Sequence, residues 1–82
     1  MENNNQIETS ENPIIELGLA MQKIYGSNII TEIVSVIGPS HNPIVTARIT
    51  LPDSNKTVYV GTGKNQREAR QNAAKEALSK FF

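Results

Sequence analysis

The chain has no cysteine and no tryptophan, and it carries only two tyrosines, two phenylalanines and one histidine. Without cysteine, neither a disulfide frame nor a thiolate metal site can form. The lone His41 has no cysteine to activate, and no motif sets a serine or carboxylate against it. Catalytic triads and dyads are therefore not expected. No apolar run approaches the roughly 20 residues needed to cross a bilayer. The polar, acidic first residues read against a secretory or transit leader. Net charge is missing too, because eight Lys and Arg balance eight Asp and Glu. A chain that sums to zero does not announce a polyanionic partner. These absences leave one small non-enzymatic domain with a modest core. It is expected to be intracellular, cytoplasmic or nuclear, with no membrane contact, metal or cofactor.

The zero sum hides a division. Residues 1–37 carry Lys23 against five acids, a balance of −4, and residues 38–82 carry seven cations against three acids, a balance of +4. A dipolar chain of this kind can present one face to a polyanion. Residues 1–11, MENNNQIETSE, hold almost nothing apolar and read as a disordered tail. Residues 12–82 are expected to form the folded domain.

Asn12 and Pro13 make a helix start, with Ile14, Leu17, Met21 and Ile24 at helical spacing and Gly26 as a stop. This predicts a helix over 13–25. The β-branched run NIITEIVSVIG predicts a strand over 29–37, and GPSHNP (38–43) reads as a loop. In IVTARITL, Val45, Ala47 and Ile49 alternate with Thr46, Arg48 and Thr50, which predicts a half-buried strand with one wet face. PDSN (52–55) is a hairpin turn, and KTVYVG (56–61) is the returning strand. A second helix follows over 66–81. Asn65 caps it and Glu68 stands at the capping-box position. Its apolar face is Ala69, Ala73, Ala74, Ala77, Leu78 and Phe81, small enough to bring the helix backbone close to its support. The predicted class is α+β in the order α-β-β-β-α: a three-stranded antiparallel sheet with both helices packed on one face. Gly61 and Gly63 read as supplying backbone freedom to the turn from strand to helix. A phosphate-loop reading of GTGKNQ fails because the required Gly-x-x-x-x-Gly-Lys-Ser/Thr spacing is absent.

Two motifs at this separation carry a resemblance. GPSHNP resembles the Gly-Pro-x-His-x-Pro loop of the double-stranded-RNA-binding domain. GTGKNQREARQNAAKEAL resembles that family's Gly-x-Gly turn, basic helix start and alanine packing positions. The resemblance covers the chain from Asn12 onward and implies a partner, duplex RNA, bound without cofactor. A-form RNA offers a shallow minor groove lined with 2′-hydroxyls and phosphates across a deep major groove. The family reads that shape at three points: the first helix, the loop after the first strand, and the start of the second helix. Carried onto this chain, the helix start is Lys64, Asn65, Gln66, Arg67 and Arg70, facing phosphates. The loop is Pro39, Ser40, His41 and Asn42, with His41 toward a 2′-hydroxyl. The first helix contributes Gln22 and Glu16.

The chain also departs from the family. Gln66 stands where the first of three lysines is usual, while Arg67 and Arg70 keep the other two charges in a form suited to bidentate phosphate contact. Ile15 and Leu19 replace polar groups on the first helix, and Thr31 replaces an aromatic. If exposed, Ile15 and Leu19 would form a small apolar patch one helical turn long. Two functions follow. The leading one is a sequence-independent duplex-RNA binder that sequesters RNA, takes part in RNA silencing or assists duplex-RNA processing. The alternative is a protein–protein or homodimer module of the same fold, engaged through Ile15 and Leu19 or through a sheet edge, with RNA binding weak or lost.

Overall fold

The computed structural model describes residues 12–82; the tail expected over 1–11 lies outside the described residues. Helix α1 spans Pro13–Tyr25. Its start is set by Asn12, whose side-chain oxygen accepts from the N–H groups of Ile14 and Ile15 at 3.1 and 3.3 Å. This satisfies donors that the first helical turn cannot use internally. Gly26 ends the helix in the left-handed conformation (φ 74°). Leu17 and Met21 are fully buried, as the spacing predicts. Ile24 was expected on the same stripe and is instead 55% exposed. It lies in the last turn, beyond the cluster that Leu17 and Met21 join.

Three strands follow: β1 (Ile30–Ile37), β2 (Ile44–Thr50) and β3 (Val58–Gly63). They form one antiparallel sheet in the order β1-β2-β3, with a bulge in β1 between Ile33 and Ser35. Val45, Ala47 and Ile49 of β2 point into the core and Arg48 points out, where it pairs with Glu32 of β1. Thr46 and Thr50 are half-buried. The outer face is less polar than the β2 alternation suggested, because Ile30, Val58 and Val60 are exposed on its flanking strands.

Strand β3 starts and ends two residues later than predicted, and both shifts have local causes. Lys56 adopts a left-handed backbone (φ 55°), and the N–H and hydroxyl of Thr57 are held by Asp53 at 2.8 and 2.6 Å. Those two residues therefore belong to the turn. At the other end Gly61, Thr62 and Gly63 pair with Ala47, Thr46 and Val45. The glycines are thus in the strand rather than in the following turn, and neither has a positive φ. Their role is close approach. A β-carbon on Gly61 would lie 2.2 Å from the amide nitrogen of Ala73, and one on Gly63 would lie 2.7 Å from that of Ala69.

Helix α2 (Gln66–Phe81) closes the fold. Its Ala69, Ala73, Ala74 and Ala77 are fully buried, and Leu78 and Phe81 are half-buried against them. The alanine face and the two strand glycines are two sides of one contact. Both helices occupy the same side of the sheet: α1 leans on α2, and its Leu17 and Met21 share one cluster with Ile49 and Leu51. Each of these four large side chains, fully buried, contributes about 1.5–3 kcal/mol relative to exposure. A second cluster, Val45, Ala47 and Ala69 with Ile33, fills the space under the start of α2.

Candidate nucleic-acid interface

Strand register decides which of the predicted site residues meet. Ile37 pairs with Ile44 and Val45 pairs with Gly63. The loop 38–43 and the segment beginning at Lys64 therefore leave the sheet at the same end. The structure brings the histidine loop and the basic helix start together, although the 20 residues 44–63 separate them in the chain. The core of α1 lies toward the opposite end, where Leu17 and Met21 meet Ile49, Leu51, Ala73 and Ala77. Gln22 and Glu16 are exposed on that helix and form a separate group.

The loop is tight. Gly38 takes φ 96°, a value that favours glycine, and the N–H of Asn42 donates to the carbonyl of Pro39 at 2.9 Å. Pro39, Ser40, His41 and Asn42 are all exposed. Two prolines and an internal hydrogen bond leave this projection little freedom to lose on contact.

At the helix start, Lys64, Asn65, Gln66 and Arg67 are exposed and Arg70 is half-buried. The Arg70 Nε is enclosed with no hydrogen-bond partner among the described residues. Among those residues the ion pairs are Arg48–Glu32 and Lys80–Glu76, and neither engages these cations. The Asn65 side chain accepts from the N–H of Glu68 at 2.8 Å, as the cap predicts. The return bond differs from a simple capping box. The Glu68 carboxylate accepts from the N–H of Lys64 at 2.6 Å rather than from Asn65. The signal for it was present in the Asn-x-x-Glu spacing, but which amide it reaches depends on the path of the chain from β3 into α2. A further bond missed in the sequence ties the two elements together: the Asn72 side-chain amide donates to the carbonyl of Thr62 at 2.6 Å.

On α1, Ile15 and Leu19 are exposed at 45% and 55%. With Gln22, Asn28, Ile29 and Thr31 they border a shallow cleft of about 370 Å³. Thr31 borders the cleft from β1.

A basic helix start beside a rigid histidine loop suits phosphates and sugar edges rather than a small-molecule reaction. No group of acids and histidine that could hold a metal ion occurs among the described residues, and none of their helices is long and apolar enough to cross a membrane. Comparison with known proteins agrees with the fold. The chain is 40% identical over 61 residues to proteins named Ribonuclease 3 from Bacillus cereus (strain AH187), Bacillus anthracis (strain A0248) and Bacillus thuringiensis subsp. konkukian (strain 97-27). The match covers 74% of this chain but only 24% of each relative, so the chain spans about a quarter of the curated relatives it matches. Residues 20–81 match the family described as the double-stranded RNA binding motif, and with its α-β-β-β-α order, alanine-faced second helix and GPSHNP loop the chain belongs to that family.

Proposed function

We propose that this chain binds double-stranded RNA by its A-form shape and its phosphates, without sequence preference and without catalysis of its own. The observation that carries the reading is the register that sets loop 38–43 and Lys64–Arg70 at one end of the sheet. Lys64, Arg67 and Arg70 face phosphates across the major groove, with Asn65 and Gln66 as neutral donors. His41, with Pro39, Ser40 and Asn42, enters one minor groove. Gln22 and Glu16 of α1 reach the other. Domains of this family span about 16 bp of duplex. Affinity comes mostly from charge neutralisation and falls steeply with salt. One lysine position is Gln66 and the α1 face is largely apolar, so a single copy binds weakly. The similarity to chains named Ribonuclease 3 favours a role beside duplex-RNA processing over silencing or sequestration.

One observation favours a second reading. Ile15 and Leu19 are exposed together on α1, where an apolar pair suits a protein partner or a second copy better than a minor groove. Two double variants separate the readings. Arg67→Glu with Arg70→Glu should abolish duplex-RNA binding, read by fluorescence anisotropy, at least tenfold and with folding intact. Ile15→Glu with Leu19→Glu should leave RNA binding within about threefold. RNA binding that survives the charge reversal, or an oligomer lost only in the α1 variant, sinks the leading view in favour of the alternative.

A further inference from the structure

We propose that Glu68 sets the RNA affinity of this domain, by acting as a resident anion at the corner between β3 and α2. This rests on the RNA-binding reading above. The carboxylate accepts from the Lys64 N–H at 2.6 Å, while its own backbone N–H donates to Asn65 at 2.8 Å. The acid is thereby locked into the segment that carries Lys64, Arg67 and Arg70. It is exposed, as are Lys64 and Arg67, so it lies on the surface that a phosphate must approach. Two consequences follow from its charge. It complements the positive end of the α2 dipole and so stabilises the helix start. It also occupies one backbone donor and repels any second anion within a Debye length, about 10 Å at 0.1 M salt. The same carboxylate that orders the corner therefore weakens its grip on a polyanion.

Glu68→Gln isolates the charge, because the amide keeps an oxygen that can accept from Lys64. The control is Glu76→Gln. It removes the same formal charge eight residues along the helix, about 12 Å away, and the Lys80–Glu76 pair it disturbs lies far from the corner. Wild type and both variants are titrated with an RNA duplex of about 20 bp, long enough for the family's site size. Titrations are run at about 0.1 M and 0.5 M salt, and thermal melting is followed in parallel. Glu68→Gln should bind about two- to fivefold tighter than wild type at low salt. The gain should shrink at high salt, while Glu76→Gln stays near wild type. A lower melting temperature is expected either way, because the charge also stabilises the helix start; a purely structural cap would pair it with equal or weaker binding. The proposal is overturned if Glu68→Gln gains nothing at low salt, if its gain persists undiminished at high salt, or if Glu76→Gln gains as much. Wild type that binds but does not respond to Glu68→Gln removes this inference alone. Wild type that binds no duplex at either salt removes the RNA-binding reading and this inference with it.

Discussion

A β-carbon at Gly61 would meet backbone atoms of Asn72 and Ala73, the nearest at 2.2 Å, and backbone cannot swing aside as a long side chain can. Gly61→Ala must therefore push α2 away from β3 or distort the strand. Overpacking of this kind costs about 1–3 kcal/mol, a large fraction of what a small domain has. Urea unfolding should show a lowered midpoint for Gly61→Ala. The exposed neighbour Thr62→Ala should stay within about 0.5 kcal/mol of wild type. The residue types at this contact were legible in the sequence: alanines at helical spacing announce a close-packed face. Their partner was not. Gly61 and Gly63 look the same on paper whether they serve a turn or a close approach, and only the register of β3 against β2 puts them in the strand under the Ala69 and Ala73 amides. The exposure of Ile15 and Leu19 had the same character, since it depends on where α1 leans and not on its periodicity.

The hairpin joining β2 to β3 is organised by one acid. Asp53 is 6% exposed and accepts the hydroxyl and N–H of Thr57, while its own carbonyl accepts from the N–H of Lys56 at 3.1 Å. The Thr57 hydroxyl bond, then the Thr57 amide bond, hold its carboxyl below the ordinary value of 3.8; burial opposes this and the Lys56 charge adds to it. A carboxylate with a depressed folded pKa contributes stability that is complete above its unfolded pKa. That stability is lost as pH falls through the lower folded value. Thermal melting of wild type should therefore be insensitive to this group near neutrality and drop as pH falls below about 4. Asp53→Asn keeps an acceptor for the Thr57 amide but cannot titrate. It should melt lower than wild type at pH 7, and the gap should close in acid. A constant gap from pH 7 to 2 would show that Asp53 contributes nothing through its charge. The sequence marked a turn at 52–55 but not its organiser, because a turn aspartate and a buried one are the same letter. The α2 start was better exposed to inspection: Asn65 and Glu68 interact within one turn of chain, where spacing alone carries the geometry.

The basic half supplies β2, β3 and α2, and the register delivers loop 38–43 and Lys64–Arg70 to one end. If the three cations at the helix start make the phosphate contacts, they cap the counterions that binding can release, so the slope of log affinity against log salt should be negative and no steeper than about −3. On the proposed reading, shape is the other half of recognition. Equal-length duplex RNA, duplex DNA and single-stranded RNA should separate at fixed salt, with the RNA duplex bound at least tenfold tighter than either competitor. Equal affinity for all three would reduce the interaction to generic attraction and remove the reading of A-form geometry.

The element types, their order, the helix caps and the family were determined by the sequence alone. These depend on contacts within a turn of helix or on a repeat of two or 3.6 residues, which one-dimensional spacing records. What tertiary structure decided is everything that joins distant segments. It paired Val45 with Gly63 and so put the histidine loop beside the basic helix start. It set α2 close enough to β3 that only glycine fits at Gly61. It also left Ile15 and Leu19 facing outward. Each outcome follows from strand register and from the angle at which helices settle on a sheet, and those are properties of the packed whole.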